Sequence, residues 1–213
     1  MEVPILFEDG TLLVCQKPAG VLSENGGMPE LLQAQCSARQ IFCVHRLDKA
    51  VSGLMVYAKD GKTAAKLSES ISSGLLTKEY LAVVQGVPAE KAGEMRDLLY
   101  HDKARNKTYV VKSARRGVKE AVLHYTLLQT VQSEFGPLSL LRVRLGTGRS
   151  HQIRVQFASR KLPLAGDGRY GSGIRGCGIA LCAQHLAFPH PKTGELIDCA
   201  IEKPDGWPWS LFA

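Results

Sequence analysis

Two short runs of the chain concentrate side chains that can move protons and hold anions. The first is His45-Arg46-Leu47-Asp48-Lys49-Ala50-Val51-Ser52-Gly53-Leu54, a charged cluster set directly before an apolar, β-prone stretch. Charges beside a buried strand are costly unless paired or hydrogen-bonded. Asp48 therefore either caps a turn or forms an ion pair, which is routine for Asp, or it is a working carboxylate. The second run, Gly146-Thr147-Gly148-Arg149-Ser150-His151-Gln152-Ile153-Arg154-Val155, places glycines, then hydrogen-bonding side chains, then Arg154 at the start of what reads as an alternating strand. If that strand runs beside the first cluster, Arg154 can hold Asp48 bidentately and keep it ionised when substrate excludes water. The same pair would serve structure alone, and composition does not separate the two uses.

These side chains need a scaffold, and the 213 residues are enough for one substantial core. The expectation is a single domain over residues 1–213. An apolar fraction of 45% and a charged fraction of 22% exclude disordered and fibrous classes. The formal charge of +7 points to an anionic partner, most commonly nucleic acid. Positive charge gathers over His101-Asp102-Lys103-Ala104-Arg105-Asn106-Lys107-Thr108-Tyr109 and continues at Lys112, Arg115, Arg116 and Lys119. That segment is an RNA-facing surface or a solvated, charged hairpin. No apolar run is long enough to span a membrane, and the acidic start Met1-Glu2-Val3-Pro4 is unlike a cationic signal peptide, so no membrane partner and a cytoplasmic location are expected. Six cysteines form no CxxC pair and no histidine completes a zinc site, so they are expected to be reduced and no metal is expected.

Ile5 to Gly20 reads as two strands joined at Asp9-Gly10, and Glu30 to Ala38 as a short helix behind Pro29. Val51 to Lys59 is β-prone. Ala64, Leu67 and Ile71 mark a helix over Lys62 to Ser73 that Gly74 can end. Further strands are expected at Tyr80 to Val84, Lys107 to Lys112, Ala121 to Thr130, Leu138 to Leu145 and Ile179 to Ala183. The fold class is α+β, with a central mixed, mainly antiparallel β-sheet flanked by helices and loops.

The order of motifs resembles the RluA-type RNA pseudouridine synthases. His45-Arg46-Leu47-Asp48 with Ser52-Gly53-Leu54, then Lys78-Glu79-Tyr80-Leu81-Ala82, then Gly148 to Val155, then Gly166-Asp167 with Tyr170-Gly171 carry the likeness. Lys17-Pro18-Ala19-Gly20 near the start and Leu186-Ala187-Phe188 with His190-Pro191 near the end extend it over almost the whole chain. The resemblance implies the pseudouridine synthase fold, with an active-site cleft across the sheet. It implies Asp48 as catalytic aspartate, Tyr80 against the target base, Arg154 as partner of Asp48, and Arg46 as the residue that fills the space left by the flipped uridine. Candidates for RNA contact are Arg46, His45, Arg105, Lys107, Arg116, Arg149, His151 and Gln152. The reaction moves a base from N1 to C5 with no redox change, so no cofactor is expected.

The start at Met1 leaves no room for the small helical RNA-binding domain of some relatives, which favours a compact rRNA or tRNA stem-loop as partner; the default oligomeric state is a monomer. Ala50, Val51, Gln156 and Cys182 depart from residues common in the family. Two competing readings are a catalytically silent RNA-binding protein on the same fold and a hydrolase that uses Asp48 with His45 or His151.

Overall fold

The computed structural model describes residues 1–36 and 38–212. In chain order the elements are β1 (Ile5–Glu8), β2 (Leu12–Lys17), α1 (Met28–Cys36), β3 (Phe42–Cys43), β4 (Ser52–Ala58), α2 (Gly61–Ser72), β5 (Thr77–Gln85), β6 (Ala92–Asp102), β7 (Lys107–Val111), β8 (Val118–Ser133), β9 (Gly136–Leu145), α3 (Gln152–Ser159), β10 (Leu181–Pro189) and β11 (Leu196–Ala200), with 3-10 turns at Gly168–Tyr170 and Trp209–Leu211. They sort into two compact units, Met1–Lys78 with Cys182–Glu202, and Glu79–Leu181 with Lys203–Ala213. Within either unit every strand pairing is antiparallel except that of β4 with β10, which is parallel. The expected α+β class with a mixed, mainly antiparallel sheet is what the chain adopts.

In the first unit the strand order is β1-β2-β4-β10, with β11 on β10 and β3 on β4. The Asp9 carboxylate makes the first turn by accepting the N–H groups of Thr11 at 2.7 Å and Leu12 at 2.8 Å, the local bonding that suits Asp to turns. β2 and β4 are buried almost throughout because both of their faces are covered. α2 starts where the Asp60 side chain accepts the Thr63 N–H at 2.8 Å. It ends before Gly74, whose φ of 76° needs no Cβ, and it buries Leu67 against Leu54, Val56, Leu186 and Phe188. Each such side chain contributes about 1.5–3 kcal/mol by leaving water. The expected helix over residues 30–38 is α1, and Ser37 lies outside the described residues.

In the second unit the order is β5-β9-β8-β6-β7. β6, which pairs along β8 from Ala92 to Tyr100, was not anticipated; Glu94, Arg96 and Asp97 dilute its apolar signal. One expectation is overturned here. The residues around Arg154 form a helix, α3, and not an alternating strand: His151 takes a left-handed conformation (φ 55°) at its N-cap, and all of Gln152 through Phe157 is buried.

Candidate active site

Asp48 sits in a turn whose main chain is tied down on both sides. Its own carbonyl accepts the Val51 N–H at 2.9 Å, and the Lys49 carbonyl accepts the Gly20 N–H at 2.7 Å. Leu47 is pinned by Ser23, whose hydroxyl accepts the Leu47 N–H at 3.0 Å and donates to the Leu47 carbonyl at 2.9 Å. Tyr57 in turn donates to the Ser23 carbonyl at 2.9 Å. Just past the turn, Gly53 has φ 125° and lies so close to Ala183 that any Cβ would strike the backbone of β10, which accounts for the Ser52-Gly53-Leu54 run. The turn is therefore preorganised by its neighbours, as a working side chain requires.

Lys17, at the end of β2, is fully buried. Its ammonium donates to the carbonyls of Pro18 and Val21 at 2.8 Å and of Lys49 at 3.3 Å. Burial lowers its pKa to about 8, against the opposing attraction of the Asp48 carboxylate. A lysine whose folded pKa lies below its unfolded value of about 10.4 costs stability while charged, and the cost is relieved as pH rises through that window. The stability of the wild type minus that of Lys17→Met should therefore increase between pH 8 and pH 10. Denaturant titration of both proteins at several pH values checks this, and a flat difference would place the ammonium in water.

His45 and Arg46, adjacent in sequence, separate in space. The His45 Nε2 accepts the Val56 N–H at 3.1 Å, and its Nδ1 is buried without a hydrogen-bond partner. Burial, and then the positive charge of Lys78, hold its pKa well below the usual histidine value, so it stays neutral. Arg46 projects outward, 3.7 Å from Glu24 across exposed surface.

Tyr80 and Arg154 belong to the second unit. Tyr80 is buried on β5, opposite Val143 of β9. Arg154 is also buried, and its Nε and one terminal nitrogen donate to Asp167 at 2.7 and 2.9 Å in a bidentate pair. That pair uses two of the five donors a guanidinium carries. Gln152 knits the glycine loop to β8. Its Oε1 accepts from the Thr147 hydroxyl at 2.8 Å and the Arg149 N–H at 3.0 Å, and its Nε2 donates to the Val122 carbonyl at 3.0 Å. Gln156 donates to Asp97 at 2.7 Å, which explains a second buried polar side chain on the same helix.

The basic segment is the β6–β7 hairpin and the loop beyond it. Arg105, Lys112, Arg115, Arg116 and Lys119 are exposed. Lys107 lies 5.5 Å from the centre of the Tyr170 ring and 5.7 Å from that of Tyr109. Arg149 is exposed, with its Nε on the Glu120 carbonyl at 2.9 Å. His151 points its Nδ1 at the Tyr170 hydroxyl, 2.9 Å away. Among the described residues no group of three or more His, Cys, Asp or Glu could hold a metal ion, and no helix is long and apolar enough to cross a membrane.

The sequence model described as RNA pseudouridylate synthase matches residues 11–159, a span that takes in Asp48, Tyr80 and Arg154. The chain belongs to that family. It is 32% identical to "Uncharacterized RNA pseudouridine synthase YlyB" of Bacillus subtilis over 96% of this chain and 70% of that protein. It is also 32% identical to tRNA pseudouridine synthase C of Haemophilus ducreyi, over 97% of this chain and 93% of that one. The solved structure of Human RNA Pseudouridylate Synthase Domain Containing 1 shares the fold, with a TM-score of 0.83 at 22% identity over 99% of this chain and 86% of that chain. The chain is thus an isomerase that acts on RNA.

For a pseudouridine synthase, three placements were not legible in the motif order. Asp167 holds Arg154, Lys17 braces the Asp48 turn, and Tyr170 meets the basic hairpin. His45 and Gln152, nominated for RNA contact, are turned inward and hold main-chain groups. The signals were present as Gly166-Asp167, Lys17-Pro18 and Tyr170-Gly171, but nothing local says what each side chain touches.

Proposed function

We propose that this synthase converts a uridine of structured rRNA or tRNA into pseudouridine, with Asp48 as the catalytic carboxylate, Tyr80 against the base and Arg154 as the guanidinium that steers Asp48 onto the ribose. Relatives named for the ribosomal large subunit and for tRNA support those two substrate classes. The reaction breaks the bond from C1′ to N1, turns the uracil, and joins C5 to C1′; N1 ends with a proton and C5 loses one. An ionised carboxylate beside the sugar either attacks C1′ or removes the C2′ proton, and both routes require Asp48 as the anion. An aromatic ring suits a base that must turn in its plane, because stacking holds a face without fixing the edges. The single observation that carries the reading is the Asp48 turn, braced through Ser23, Gly20 and Lys17. Lys17 thereby sets a buried positive charge beside the turn that carries Asp48.

Reaching a uridine within a stem costs a few kcal/mol of unstacking, offset by phosphate contacts and a wedge. Arg46 is exposed and its planar guanidinium can stack, which fits the wedge. RNA carrying tritium at uridine C5, incubated with the protein, tests the reading: joining C5 to C1′ expels the label, so release from rRNA or tRNA is expected. No release from either class would overturn it.

Phosphate contact by the hairpin predicts a salt signature. Arg105→Ala and Arg116→Ala should each weaken RNA binding and reduce the slope of log K against log salt by about one. An unchanged slope in both would turn the hairpin away from the RNA.

A further inference from the structure

The residues that follow Asp167 contact more than Arg154. Arg169, itself exposed, donates through one terminal nitrogen to the carbonyls of Arg105 at 3.1 Å and Asn106 at 3.0 Å, at the tip of the β6–β7 hairpin. The Tyr170 hydroxyl accepts the Thr108 N–H at 2.8 Å, on β7 of that hairpin, and lies 2.9 Å from His151 Nδ1. Burial raises the Tyr170 pKa, so it remains a phenol, able to donate to His151 while it accepts from Thr108. Thr108 also donates its hydroxyl to the Ser150 carbonyl at 2.8 Å, just before α3. The Tyr170 ring takes two cations, the Lys107 ammonium at 5.5 Å and the Arg154 guanidinium at 5.1 Å from its centre.

Four consecutive residues therefore hold both the hairpin and the guanidinium. We infer that the Asp167–Tyr170 turn is a positioning element that locks the basic β6–β7 hairpin in register with Arg154, so that RNA phosphates gripped by the hairpin deliver the target uridine at a set distance from that guanidinium. This rests on the proposed function, because it assigns the hairpin to RNA and Arg154 to the reacting nucleotide. Arg169 and Tyr170 touch no reacting atom. They act through the hairpin backbone, and they matter because a misplacement near 1 Å costs roughly a hundredfold in rate.

Tyr170→Phe keeps the ring and both cations but deletes the hydroxyl, and Arg169→Ala deletes the second tie. Two readouts are needed: amide hydrogen exchange at Thr108 without RNA, and the single-turnover rate of pseudouridine formation beside RNA affinity. The expected result for Tyr170→Phe is Thr108 exchange faster by about tenfold and a rate at saturating RNA lower by about tenfold, with affinity within about threefold. Arg169→Ala should lower the rate in the same way, and Arg169→Lys should recover most of it. A purely structural tie would lower melting temperature and leave the rate per folded enzyme unchanged, which would overturn the inference. Unchanged Thr108 exchange in Tyr170→Phe would also overturn it. If Tyr170→Phe does not fold, the exposed Arg169 variants carry the test. If the wild type itself forms no pseudouridine, the functional reading fails, and Thr108 exchange alone then upholds or overturns the lock.

Discussion

Asp48→Asn should abolish pseudouridine formation while leaving RNA affinity within about tenfold of wild type, a difference of ~1.4 kcal/mol. The amide keeps the shape of the carboxylate but can neither attack C1′ nor take the C2′ proton. The main-chain ties of the turn stay in place: Val51 on the Asp48 carbonyl, Ser23 on Leu47, Gly20 and Lys17 on the Lys49 carbonyl. Removing a negative charge from an RNA-facing surface does not weaken binding by repulsion, so the loss should fall on the chemical step. Tritium release and equilibrium binding on the same preparation check this. Equal activity in variant and wild type would remove Asp48 from the mechanism.

Asp167→Ala should destabilise the fold by about 3–5 kcal/mol, because it removes the bidentate carboxylate partner of a buried guanidinium. For a chain of this length that lowers the melting temperature by roughly 6–20 °C. Activity should fall as well, since Arg154 loses the contact that orients it. The paired substitution Arg154→Met with Asp167→Leu separates the two effects. Replacing both partners by apolar side chains of similar volume should recover part of the stability, yet activity should stay lost. Denaturant unfolding and tritium release on all three proteins decide between the roles. A double variant that regained activity would make the pair a structural one only.

What could be read from the residues follows from where their partners lie. The β1–β2 hairpin, α2 and β4 were legible because turn chemistry, helical spacing and an apolar run are local signals. α3 was misread for a physical reason. Ile153, Val155 and Phe157 alternate with Arg154 and Gln156, which copies the period of a strand. The polar residues are buried as well, Arg154 on Asp167 and Gln156 on Asp97, so the helix has no polar face to reveal its own period. Those partners are set by tertiary packing and leave no mark nearby in sequence. The same holds at Lys17: a fully buried lysine runs against the usual preference, and the carbonyls of Pro18, Val21 and Lys49, with the attraction of Asp48, account for it. The catalytic candidates were proposed from motif order, whereas the contacts of the side chains packed around them had no local signal. His45 and Gln152, expected at the RNA, each also hydrogen-bond a main-chain group of the fold, which their place in a motif does not reveal.

The most direct test maps pseudouridines across total RNA from cells that lack this gene and carry either the wild-type chain or Asp48→Asn. The expected result is at least one rRNA or tRNA position that is uridine without the gene, pseudouridine with the wild type, and uridine again with Asp48→Asn. A position restored equally by both proteins, or a map in which none differs, would contradict the assignment of Asp48 as the carboxylate that isomerises uridine.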